Sequence, residues 1–162
     1  MAVGERFQIE RATMADAPTI QNLVGSFASL GEMLPRPLAE IYEQLRDFLV
    51  VRDNNRLVAC AALHIMWEDL AEIRSLAVLD EWRDKGVGAG LVQACLDEAR
   101  ALGIPTIFAL TRQPSFFEKL GFHQADMMAL PRKVWGECFR CPKFPNCDEV
   151  AVIIEFKAQP PS

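Results

Sequence analysis

Basic charge is scarce in this chain: 17 lysines and arginines stand against 22 aspartates and glutamates, for a formal net charge of −5 at pH 7. An acidic chain lacks the cationic footprint that holds a phosphate backbone or an anionic lipid surface, so neither nucleic acid nor membrane is expected as a partner. Long apolar runs are missing too, and none approaches the roughly 20 residues of a membrane span. The opening stretch MAVGERFQIE has no basic segment leading into an apolar one, as a secretory signal would. The expectation is a cytoplasmic chain. Internal repeats and linker-like runs are absent as well. A single domain is expected over residues 1–158, with Gln159 to Ser162 as a disordered tail.

Cysteines are few and unevenly spread. Cys60 and Cys95 sit in apolar runs and are expected in the core. Cys138, Cys141 and Cys147 crowd into ten residues, a pattern that in a cytosolic chain suggests metal or redox chemistry before disulfides. The first pair has zinc-like spacing. A tetrahedral site needs a fourth ligand, which Asp148, Glu149 or His123 would have to supply. The other reading, reduced and partly buried thiols, is preferred, and no metal is assigned. His64 lies mid-run among apolar residues as a core or edge histidine or a proton relay, whereas His123 is expected to be exposed. Trp67, Trp82 and Trp135 are expected to be packing residues.

The hydrophobic pattern alternates between strand and helix periods. Strands are expected at 7–11, 48–52, 57–66, 71–79, 106–110 and 150–156. The first helix opens at Thr13 or Asp16, carries Ile20, Leu23, Val24 and Phe27 at helical spacing, and ends at Gly31. A second short helix spans 38–45. A third carries Val87, Leu91, Ala94, Cys95, Ala99 and Leu102 and stops at Gly103 and Pro105. A fourth covers 114–120. The fold class is mixed α/β.

The run Arg83-Asp84-Lys85-Gly86-Val87-Gly88 joins a strand to a helix. It lacks the third glycine of a dinucleotide fingerprint and the Gly-Lys-Ser/Thr of a P-loop. What remains is a tight glycine turn delivering the unpaired N–H groups of a helix N-terminus, where an anion such as a pyrophosphate is favoured. The alternative is a flexible strand-to-helix connection.

Arg83-x-x-Gly86-x-Gly88 resembles the acetyl-CoA pyrophosphate loop of the GNAT acetyltransferases. Ile73 to Val78 is similar to their fourth strand, and Phe116 to Phe122 to the helix and turn after their fifth. The resemblance implies a mixed, mostly antiparallel sheet flanked by helices. It also implies acetyl-CoA as donor, with backbone groups of Leu76, Ala77 and Val78 along the pantetheine arm. Arg83, Asp84, Lys85, Gly86, Val87, Gly88, Ala89 and Gly90 would surround the pyrophosphate, with the amides of Val87 to Gly90 as donors. Many family members carry a tyrosine where Phe117 stands, and that tyrosine protonates the departing thiolate; phenylalanine has no proton to give.

A narrower resemblance is to the acetyltransferase domain of the N-acetylglutamate synthases, which also lack that tyrosine. It rests on Leu34-Pro35-Arg36, Ala59 to Leu63, Ala71-Glu72-Ile73, Leu110-Thr111-Arg112, Phe116-Phe117 and Leu130-Pro131. The Cys138 to Glu149 pattern is similar to the short, stand-alone form. This implies acetyl transfer to the α-amine of L-glutamate, the first step of arginine biosynthesis. Glu72 would be the general base, and the hydroxyl of Thr111 would lie at the substrate or the leaving sulfur. Arg36, Ser75, Arg112 and Lys133 would contact the substrate. The chemistry is consistent, since glutamate carries two carboxylates and arginine forks suit carboxylates. Ordinary alternatives exist for each: a strand residue paired with Arg74 for Glu72, and solvated surface cations for Arg36, Arg112 and Lys133. Transfer to another small amine or a protein amine, or a non-catalytic acetyl-CoA sensor, stay open. So does a homodimer.

Overall fold

The computed structural model describes residues 7–29, 36–126 and 150–156. Gly31, Leu34, Pro35, Leu130, Pro131, Lys133, Trp135, Cys138, Cys141, Cys147, Asp148, Glu149 and the tail lie outside the described residues. In chain order the elements are β1 (Gln8–Arg11), α1 (Ala17–Ser29), α2 (Leu38–Glu43), β2 (Phe48–Asp53), β3 (Arg56–Trp67), β4 (Leu70–Val78), α3 (Val87–Leu102), β5 (Thr106–Thr111), α4 (Pro114–Glu118), β6 (His123–Ala125) and β7 (Val150–Glu155). Among the described residues, seven strands form one mixed sheet in the order β1-β2-β3-β4-β5-β7-β6. The β1–β2, β2–β3, β5–β7 and β6–β7 pairs are antiparallel, and β4–β5 is parallel. α3 is the crossover that a parallel pair requires.

Two compact units can be distinguished. The first comprises residues up to Leu63 and Ile73–Asp97. Its core gathers Ile20, Leu23 and Val24 of α1, Ile41 of α2, Phe48 and Val50 of β2, and Cys60 and Ala62 of β3. The spacing of the α1 residues puts them on one face of a helix. β3 departs from strict alternation: Leu57 to Leu63 are all buried, the mark of a strand covered on both faces.

Below α1, a short 3-10 turn at Met14–Asp16 carries a charged cluster. Asp16 accepts from the backbone N–H of Thr13 at 2.7 Å and from its hydroxyl at 3.1 Å. Arg52 of β2 donates to both Asp16 oxygens, at 2.7 and 2.6 Å, and to Glu10 at 3.3 Å. The Arg52 fork holds the Asp16 carboxyl below its ordinary value of 3.8, against the opposing effect of burial. A carboxyl depressed in the fold stabilises it fully above the unfolded pKa, and that contribution is lost as pH falls through the folded value. Asp16→Asn should cost about 2–3 kcal/mol, somewhat less than breaking a fully buried ion pair, because Arg52 keeps 20% of its side chain in water. Urea midpoints measured from pH 7 down to pH 2 should fall more steeply for the wild type than for Asp16→Asn below about pH 4; parallel curves would assign the acid sensitivity elsewhere.

The second unit comprises His64–Glu72 and the residues from Glu98 onward. Leu70 of β4, Phe108 of β5 and Ala151 of β7 are its buried cluster, with Met66, Leu110 and Ile153 against it. α3 ends at Gly103, whose φ of +80° is open to glycine and costly for other residues. Its N–H bonds Arg100 O and the N–H of Ile104 bonds Ala99 O, closing a Schellman motif with Ile104 buried.

Several boundaries differ from expectation. α2 stops at Glu43, because Gln44 takes φ −109°, ψ 22°, and the chain continues as a separate 3-10 turn at Leu45–Asp47. α4 stops at Glu118, two residues early. Trp67, expected to pack, is 57% exposed at the end of β3, beside the Glu68–Asp69 turn.

Candidate active site

In the first unit, β4 leads through a short 3-10 turn, Asp80–Trp82, into the glycine run and α3. Two residues of that run are left-handed, Asp84 at φ +64° and Gly86 at φ +82°. Gly86 O accepts the N–H of Gly90 at 2.9 Å, the first bond of the helix. The four N–H groups that a helix leaves without an internal partner are therefore those of Gly86, Val87, Gly88 and Ala89. This moves the expected donor set by one residue, because the Gly90 amide is spent inside the helix. Gly90 is buried, and a Cβ there would meet the Phe7 ring at 3.5 Å and Ile9 at 3.6 Å. It packs α3 against the first strand.

The side chains around the turn are tethered. Lys85 Nζ sits 5.4 Å from the centre of the Trp82 ring, and Arg83 pairs with Asp80 at 3.3 Å. Arg83, Asp84, Lys85 and Gly86 are all exposed, so the start of α3 is open to solvent on that side.

Upstream in β4, Leu76 and Val78 are half-buried and Ala77 is buried. Ser75 is buried with φ +57°, a left-handed residue in the middle of a strand. No feature of the sequence announces it, since a serine inside an apolar run carries no turn signal. Arg74 is buried and donates to Gln44 Oε1 at 2.9 Å, at the end of α2. Arg36 stands two residues before α2 and pairs with Glu40 at 3.6 Å, its side chain mostly buried.

In the second unit, the parallel register of β4 with β5 covers Leu70, Ala71 and Glu72 against Thr106, Ile107 and Phe108. Glu72 is the last residue of that ladder, and it is only 6% exposed. A carboxylate so buried is rarely retained without a partner or a chemical role. Thr111 ends β5 half-buried, and its hydroxyl accepts the Gln113 N–H at 2.9 Å, which leaves its own proton available to donate. Arg112 follows, exposed. Phe117 is buried edge-on to Phe116 and Phe122, at 5.0 and 5.2 Å between ring centres. The ring at the family's tyrosine position is thus a packing element.

The structure therefore brings Arg36, Ser75, Leu76, Ala77, Val78 and the run from Arg83 to Gly90 into one unit, and Glu72, Thr111 and Arg112 into the other. Lys133 lies outside the described residues. Among those residues, no group of three or more His, Cys, Asp or Glu is arranged to hold a metal. No helix among them is long and apolar enough to cross a membrane.

The family described as Acetyltransferase (GNAT) matches residues 19–122. A Chlorobaculum tepidum protein named as an uncharacterized N-acetyltransferase is 37% identical over 145 residues, covering 90% of this chain and 94% of that one. An amino-acid acetyltransferase of Mycobacterium tuberculosis is 33% identical over 135 residues, covering 82% and 77%. The solved N-acetylglutamate synthase from Neisseria gonorrhoeae, complexed with coenzyme A and N-acetyl-glutamate, superposes with a TM-score of 0.83 at 26% identity. That match covers 92% of this chain and 35% of the other.

Proposed function

Because the chain belongs to the Acetyltransferase (GNAT) family, we propose that it transfers the acetyl group of acetyl-CoA to the α-amine of an amino acid, and that this amino acid is L-glutamate. The single observation that carries the donor half is the turn into α3. Four N–H groups without an intrahelical partner stand at the positive end of a 16-residue helix, beginning with that of the left-handed Gly86. They suit a pyrophosphate, with Leu76 and Val78 offering backbone bonds to the pantetheine arm as an added strand does. The acceptor half is supported by the kinship with amino-acid acetyltransferases and by the arginines.

In this reading Glu72 takes a proton from the ammonium of the bound amino acid, and the freed amine attacks the thioester carbonyl. An N–C bond forms, the C–S bond breaks, the electron pair leaves on sulfur, and the proton that the new amide nitrogen sheds ends on that sulfur as the coenzyme A thiol. The Thr111 hydroxyl hydrogen-bonds the departing thiolate, a position that Phe117 cannot serve. Arg112 and Arg36 each take one carboxylate, Arg36 exchanging Glu40 for the substrate, and Ser75 and Lys133 line the acceptor. The product is N-acetylglutamate, which opens arginine biosynthesis. The enzyme works in the cytoplasm.

The donor reading is tested at Gly88. A valine side chain there blocks backbone approach to the phosphates while leaving a helical position filled. Gly88→Val should raise the dissociation constant for acetyl-CoA at least about tenfold, the equivalent of one lost charge-assisted bond. Calorimetry giving wild-type affinity for the folded variant would remove the cradle from the mechanism. Thioester consumption screened across the twenty amino acids tests the acceptor. Turnover with polyamines or peptides and not with amino acids overturns it.

A further inference from the structure

Cys60 and Cys95 are buried thiols, neither in a disulfide, and the chemistry above uses neither. Cys60 is the informative one. Its Sγ donates to the carbonyl oxygen of Ser75 at 3.4 Å. One side chain of β3 thus holds the main chain just before Leu76. Ser75 is left-handed, and a strand residue in that conformation cannot keep its carbonyl in the plane of the ladder. A buried carbonyl turned out of the ladder needs a donor.

We infer that Cys60 is a positioning residue for acetyl-CoA: its thiol clamps the irregular main chain at Ser75 and so sets the direction of the Leu76 backbone groups that receive the pantetheine arm. This rests on the reading that β4 binds the donor. With Ser75 O held by the thiol, the peptide that leads into Leu76 is fixed in place. The ladder with β5 has already ended at Glu72. Burial pushes the thiol up to about 12, so the donor proton stays on sulfur at neutral pH. No oxidation or covalent step is involved. A residue with no hydrogen to give would fill the same volume and leave the carbonyl unsatisfied.

The test compares Cys60→Ser, Cys60→Ala and Cys60→Val in the full chain, with acetyl-CoA dissociation constants by calorimetry and separate KM values for donor and acceptor. Loss of one neutral hydrogen bond corresponds to about threefold to tenfold. Cys60→Ala and Cys60→Val should weaken acetyl-CoA by that factor with the acceptor KM unchanged, and Cys60→Ser, which keeps a donor, should restore most of it. Equal donor affinity in all four proteins overturns the inference. So does a loss in Cys60→Ser as large as in Cys60→Ala, or a fall in both KM-derived affinities that tracks melting temperature. If the wild type itself binds no acetyl-CoA, the donor reading fails first. If the wild type binds and the variants match it, only the clamp fails.

Discussion

Replacing Glu72 with glutamine should lower kcat by about a hundredfold or more, the usual scale for loss of a positioned general base. The substitution keeps the shape of a side chain that is almost wholly buried at the last rung of the β4–β5 ladder, so folding should survive it. It removes the proton acceptor and nothing else that the acceptor amine needs. The acetyl-CoA dissociation constant should stay put, because the donor cradle lies in residues of the first unit. The acidic limb of the kcat profile should disappear, since no carboxyl is left whose protonation shuts the reaction down. Coenzyme A thiol release followed against pH measures both quantities. Undiminished turnover would mean that the amine arrives deprotonated by another route, with Glu72 kept as a buried strand residue.

The second large effect concerns Arg112. Its exposed position just after β5 keeps the cost of truncation to the fold within about 1 kcal/mol, the scale of a surface interaction. Arg112→Ala should nonetheless reduce kcat/KM for glutamate by roughly 1.5–3 kcal/mol, about tenfold to a hundredfold, as one charge-assisted pair is lost. Arg36→Ala offers the contrast. That guanidinium is mostly buried and bound to Glu40, so its loss should lower stability as well as activity. Measuring both variants with glutamate and with glutamine identifies which arginine senses the side-chain carboxylate, because only that variant narrows the ratio between the two acceptors. An Arg112→Ala enzyme with the wild-type ratio and rate would leave Arg112 a solvated surface residue.

Much of the architecture was legible because it is periodic. β2, β3, β4, β5 and β7 are apolar runs bounded by turn residues, and α1 and α3 repeat at helical spacing. The glycine turn was legible for a different reason: Gly86 stands where the backbone must take a positive φ. The features that escaped join residues far apart or contradict local propensity. The Arg52–Asp16 fork spans 36 positions and has no local signature. Ser75 adopts a conformation that its neighbours alone do not call for, and the thiol that meets it comes from another strand. Gly90 looked like one more donor in a glycine-rich run. Its place in the helix ladder and its contact with Phe7 emerge only when the first turn of α3 is laid against β1.

The sheet order has a consequence for how the protein is made. β7 inserts between β5 and β6, so the last of the described strands in sequence is an inner one. Until residues 150–155 are in place, β5 lacks its β7 partner along its whole length, from Thr106 to Thr111, and β6 lacks the β7 partner it has in the finished sheet. Ile107, Phe108 and Ala109, fully covered in the finished protein, are then held beside an open row of main-chain donors and acceptors. Such an edge is a template for any neighbouring chain. The chain is at its stickiest before β7 docks, and that strand closes the seam.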